Sequence, residues 1–190
     1  MPATPSSRVA DRLPVRPDLT IERGGNVSIV AANLFLLDAV DHGGAALTEA
    51  IGVAPPASWP PLHNGPEVFA WVRGQMERHP DEPGYFTWFI IGDGQLCGTG
   101  GYKGPPGNDG SVEIGYSVIP EAQRRGFASG TVELLVLRAF RDPRVTAVRA
   151  ETLVDGLASQ GVLLRCGFVP SGSRIDPDDG ELVCFERRRS

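Results

Sequence analysis

Residues 111–140, SVEIGYSVIPEAQRRGFASGTVELLVLRAF, change their apolar period from that of a strand to that of a helix inside one short stretch. Over 111–119 the alternation places Val112, Ile114, Tyr116 and Val118 on one face, with Glu113, Gly115, Ser117 and Ile119 on the other. From 126 to 140, Val132, Leu135, Val136 and Ala139 recur at helical spacing. A chain that turns from strand to helix this abruptly belongs in a layered α/β fold. The junction, QRRGFASG at 123–130, puts two adjacent arginines where no core segment would tolerate them. A helix start offers unpaired N–H groups and the positive end of the macrodipole, so it is a natural anion site. Gly126 removes a Cβ from the approach, Ala128 keeps the next turn bare, and Arg124 and Arg125 add charge at the rim. The pattern supports a phosphate or pyrophosphate held by the N–H groups of residues 124–129. The competing reading is a plain helix start with solvated arginines. Neither G-x-x-x-x-G-K-[ST] nor G-x-G-x-x-G occurs, which disfavours a nucleoside triphosphatase or a dinucleotide dehydrogenase.

Around this junction the chain changes character near residue 84. Before it, residues 52–66 carry five prolines and form an extended loop between helices expected over 28–40 and 66–78. After it come a strand at 85–91, the turn GDG, a strand at 95–102, and the 111–119 strand. Beyond the 126–140 helix follow a strand at 144–153, a short helix over 158–166 that Gly167 stops, and a final hairpin of 168–175 with 181–188. The order describes an α/β (α+β) sandwich around one sheet. Residues 1–20 read as a flexible leader without the apolar core of a signal peptide.

Charge and composition remove several classes of function. A net charge of −5, with Arg187, Arg188 and Arg189 as the sole basic run, argues against a nucleic-acid partner. No apolar run approaches the ~20 residues that span a membrane. Cys97, Cys166 and Cys184 are scattered, which suggests reduced thiols and a cytoplasmic location. His42, His63 and His79 fall in unrelated contexts, so no metal site is expected.

The block IGYSVIPEAQRRGFASGTVELLVLRAF resembles the acetyl-CoA-binding core of the GNAT superfamily of N-acetyltransferases. In that family a strand ending V-x-P precedes [QR]-x-x-G-x-[GA] at a helix start; here these are Val118 to Pro120 and Gln123 to Ala128. ETLVDGLASQGVLLRCGF, 151–168, resembles the family's next strand and helix, in the right order and spacing. The resemblance implies a three-layer α-β-α sandwich around one mixed, mostly antiparallel sheet. It makes 21–190 a single domain, with 21–84 on the acceptor side and 85–185 as the acetyl-CoA core. It implies that Tyr116, Ser117 and Val118 pair with the pantetheine arm, and that Arg124, Arg125, Gly126, Phe127, Ala128 and Ser129 cradle the pyrophosphate. Leu163 stands where many members have tyrosine, which is similar to the RimJ/RimL-like branch that acetylates ribosomal-protein N-termini and other amines. In that branch a serine nine residues before the phenylalanine protonates the departing thiolate; Ser159 has that place before Phe168. Gly156 departs from the branch's asparagine, and Asp155 is the candidate cap in its stead.

The expected reaction is acetyl transfer to a primary amine, of a small molecule or a protein N-terminus, inside a ternary complex. It needs a proton acceptor, a polarised carbonyl and a stabilised thiolate. Glu113 is either the base or the ion-pair partner of an arginine such as Arg149, and Glu151 is the alternative base. Ser159 is either the acid or a helix-start hydroxyl. Tyr116 is read as core with its hydroxyl satisfied at the edge. The proline-rich loop, with Trp59 and His63, is either a wall of the amine cleft or a mere connection. The net acidic charge suits a cationic amine. The alternative function is a CoA-binding sensor or interaction module with impaired catalysis, which Gly156 keeps open; monomer and homodimer both fit.

Overall fold

The computed structural model describes residues 19–62 and 64–190. Residues 1–18 of the expected leader, and His63, lie outside the described residues. Thr20 already belongs to the fold, since its C=O accepts from Ala31 N–H at 2.9 Å.

The chain begins with two strands, β1 (Ile21–Gly24) and β2 (Val27–Ala31), and then three helices, α1 (Leu34–Asp41), α2 (Gly44–Ile51) and α3 (Pro66–Arg78). The rest runs β3 (Thr87–Gly92), β4 (Gln95–Tyr102), β5 (Ser111–Val118), α4 (Phe127–Ala139), β6 (Ala147–Leu153), α5 (Leu157–Arg165), β7 (Val169–Asp176) and β8 (Gly180–Arg188). One eight-stranded sheet takes them in the order β1-β2-β3-β4-β5-β6-β8-β7. Every pairing is antiparallel except β5 with β6.

Two cores cover the two faces. Ile29, Trp88, Ile90 and Ile114 meet the buried sides of α4 and α5, while Val30, Phe89, Ile91 and Leu96 meet α1 to α3. Adjacent residues therefore feed opposite cores, as the period of a strand requires. The expected sandwich is observed.

The helix expected over 28–40 is corrected. Residues 27–31 form β2, and α1 begins only after Asn33, whose Oδ1 accepts from Leu36 N–H at 2.8 Å. All five β2 residues are buried. A strand covered on both faces reads as a continuous apolar run, which periodicity alone does not separate from a helix. β1 and α2 were likewise not resolved from the sequence.

A polar clamp ties the α4–β6 connection to the start of β3. Arg144 donates to both oxygens of Glu82 at 2.6 and 2.8 Å and to Asp142 at 2.7 Å, and Tyr85 Oη donates to Asp142 at 2.7 Å. Arg144 holds both carboxyls below their ordinary range. A depressed folded-state pKa means stability that is present above the unfolded value near pH ~4 and lost as pH falls through the folded value. Arg144→Met is expected to lower Tm by a few degrees at pH 7 and by less at pH 2.5. Equal losses at both pH values in thermal melts would refute this role.

Candidate active site

β5 and β6 pair only from Ser111/Ala147 to Ile114/Ala150. Beyond that point β6 follows β8, while β5 continues to Val118 with β4 alone beside it. Ile119 N–H donates to Cys97 C=O at 2.9 Å, which sets the alternation along β5. The amides of Gly115, Ser117 and Ile119 address β4. Those of Tyr116 and Val118 address the side that β6 has left. A wedge of open backbone is the consequence.

The wedge leads into a cleft of about 510 Å³, lined by the end of β5, residues 122–124 and 126–129, and α5. Arg124 (φ 59°) and Gly126 (φ 84°) are both left-handed, and such alternation turns successive N–H groups into an anion-binding concavity. The α4 ladder starts with Gly130 N–H on Gly126 C=O at 2.9 Å, so the amides of Phe127, Ala128 and Ser129 have no helical partner. Phe127 is buried under the loop and anchors it against the sheet. The Arg125 side chain leaves the cleft: it pairs with Asp93, and its guanidinium lies 5.0 Å from the Phe127 ring centre. Arg124 lines the cleft, as does Arg165 at the end of α5, a residue that sequence reasoning missed. Its place at the end of a short helix gave no signal until α5 docked across from α4.

Tyr116 and Ser159 meet in this cleft. Their hydroxyl oxygens are 2.8 Å apart, and Tyr116 Oη also donates to Ser159 C=O at 3.1 Å. Burial pushes the Tyr116 phenol up to about 12, so at neutral pH it is a donor and not a base. Asp155 does not cap α5, whose N-cap is Gly156 with no side-chain cap. Gln160 Nε2 ties that turn instead, donating to Leu153 and Val154 C=O at 3.1 and 3.0 Å.

A second cleft of about 450 Å³ opens on the α3 side of the sheet and shares Tyr116 and Ser117 with the first. Ser117 Oγ donates to Leu62 C=O at 3.2 Å, tethering the proline-rich loop to β5. From that loop Leu62 and Asn64 line the cleft. Trp59 does not, packing 6.0 Å from Phe89 beside a separate groove. Lys103, which sequence reasoning missed, lines it, as does Trp71. Trp71 had a readable signal, since it falls off the Val68, Phe69, Val72, Met76 stripe of its helix.

Neither candidate base lines either cleft. Glu113 pairs with Lys103 and not with Arg149, which is taken by Asp109 at 2.9 Å and Glu186 at 3.1 Å. The Lys103 contact is an ion pair without hydrogen-bond geometry at the Glu113 oxygen. Glu151 accepts from Arg174 at 2.7 and 2.6 Å, and that guanidinium holds its carboxyl below the usual range. Burial raises all three thiols, Cys166 to about 11. Among the described residues no group of three or more His, Cys, Asp or Glu is placed to hold a metal ion.

Residues 49–169 match the family described as acetyltransferase (GNAT) domain. The uncharacterized N-acetyltransferase YjdG of Bacillus subtilis (strain 168) is 24% identical over 136 residues, 70% of this chain and 80% of that protein. RimL, a ribosomal alpha-N-protein acetyltransferase solved in complex with coenzyme A, superposes with a TM-score of 0.66 at 18% identity, covering 89% of this chain and 98% of its own. The microcin C7 self-immunity acetyltransferase MccE, solved with acetyl-CoA and AMP, reaches 0.63 at 11% identity, covering 87% and 94%. These likenesses in structure show the shared fold.

Proposed function

This chain belongs to the GNAT acetyltransferase family and is an N-acetyltransferase; from that premise we propose that it passes the acetyl group of acetyl-CoA directly to a primary amine within a ternary complex. The observation that carries the reading is the meeting of two clefts across one pair of residues. Tyr116 and Ser117 face both the anion-binding cleft and the cleft under α3.

In this reading the amides of residues 124–129, with Arg124 and Arg165 at the rim, take the pyrophosphate and phosphate charge of the donor. The open backbone of Tyr116 and Val118 pairs with its amide arm where β6 has departed. Val118 N–H then donates to the thioester oxygen as negative charge develops there, in a site already aligned for it. The amine nitrogen forms the new C–N bond and the C–S bond breaks. Ser159 Oγ–H gives its proton to the leaving sulfur and regains one through Tyr116 or water. The proton lost by the amine goes to solvent, since Glu151 is locked by Arg174 and Glu113 stands behind Lys103.

Direct transfer is favoured over a covalent acyl-enzyme because burial raises every thiol pKa, the opposite of what an attacking cysteine needs. Initial rates measured against both substrates should give intersecting double-reciprocal lines. Parallel lines, the mark of a ping-pong route, would overturn direct transfer.

A further inference from the structure

The cleft under α3 has an uncommon floor. Gly101 and Gly115 are register partners across β4 and β5 and both line it; a Cβ on Gly101 would run into the Phe86 carbonyl, so the bare patch lies at Gly115, beside Thr99 and Ser117. A Cβ on Gly115 would meet nothing within 4 Å, so the space above it is open. Trp71, 48% exposed, and Leu62, 75% exposed, stand over the same cleft. The Trp71 indole N–H is used on its own helix: with the Gln75 carboxamide turned to satisfy both its ends, its oxygen accepts from Trp71 Nε1 at 3.2 Å. What Trp71 offers the cleft is therefore the apolar body of the ring.

The charge of the lining points the same way. Lys103 is its single ionised side chain among the described residues, and the ammonium is engaged by Glu113 and, at 3.8 Å, by Glu151. Among the described residues no carboxylate lines this cleft to receive a second positive charge. The expectation of a cationic acceptor, drawn from net charge, therefore narrows to an amine with no second, remote positive charge.

We infer that the acceptor is a primary arylalkylamine whose flat ring lies between Trp71 and the bare Gly115 floor, with its amine directed to Tyr116 and Ser117. Trp71 and Gly115 then determine specificity. The inference rests on the acetyl-transfer reading and adds the class of acceptor to it. The bare Gly115 lets a ring approach the peptide plane closely, and Trp71 stacks or packs edge-on from above. A polyamine, which needs a carboxylate for each remote ammonium, finds none.

The test follows CoA release with 2-phenylethylamine, spermidine, ethylamine and a tetrapeptide amide with a free N-terminus. Expected are the highest kcat/KM for 2-phenylethylamine and a KM for it raised about tenfold in Trp71→Ala, the loss of one aromatic contact. Gly115→Leu, at a backbone angle open to L residues, should do the same by filling the floor, with acetyl-CoA affinity by calorimetry within twofold of wild type. Preference for spermidine or for the peptide overturns the acceptor class and leaves acetyl transfer standing. An unchanged KM in both variants also overturns it. Absence of turnover with every amine overturns both readings.

Discussion

Gly126→Glu is expected to weaken acetyl-CoA binding by at least ~100-fold while the protein still folds. Gly126 lines the cleft proposed for the donor, with φ 84°, and a Cβ there would meet nothing within 4 Å. The cost of a left-handed L residue is about 1–2 kcal/mol, which a domain of this size can bear. The carboxylate matters more. It would sit among the amides of Phe127 to Ser129 and cancel the positive end of α4. At ~4 Å and an effective dielectric of ~20, a second anion repels the pyrophosphate by several kcal/mol. Gly126→Asn separates the two effects, because asparagine tolerates the left-handed region without charge. Its loss should stay below about tenfold. Calorimetry on both variants, with melts to show that they are folded, decides the matter. Glutamate binding as tightly as glycine would remove the pyrophosphate from this loop.

Ser159→Ala should lower kcat by ~10²-fold with the KM for acetyl-CoA within about threefold, the range that positioned proton donors supply. Tyr116→Phe should lower it by about tenfold, because the phenol acts through the serine it touches. The double variant should then be no slower than Ser159→Ala alone. Additive losses would mean that the two hydroxyls serve independent steps, and an unchanged Ser159→Ala rate would leave the sulfur to be protonated by solvent. Removing the phenol also removes its hydrogen bonds to the Ser159 hydroxyl and C=O, at a cost of about 1 kcal/mol in stability. Melting curves on each variant separate that effect from catalysis.

Much of the donor side was legible because its signals are local. The QRRGFASG turn, its left-handed Gly126 and the helix that follows all depend on neighbours a few residues apart, as does the left-handed Gly167 that ends α5. Hairpins such as β3–β4 announce themselves through a short glycine turn. The N-terminal third was less legible. β2 carries no alternation because both of its faces are covered, and that coverage comes from α4 on one side and α1 on the other. Asp155 offered a plausible cap by position, yet Gly156 is the N-cap of α5 and the turn is bound by Gln160 instead.

The sequence by itself therefore determined the fold class, the strand-to-helix junction of β5 and α4, and the backbone of a candidate anion site. Periodicity and glycine placement act over distances that the chain carries with it. Only the tertiary structure decided the partners. Tyr116 found Ser159 at a separation of 43 residues, and Arg125 found Asp93 at 32. Glu113 went to Lys103 although Arg149 is its register partner on β6. Which cation reaches a given carboxylate depends on strand order and on competing anions such as Asp109 and Glu186, and no local pattern encodes either.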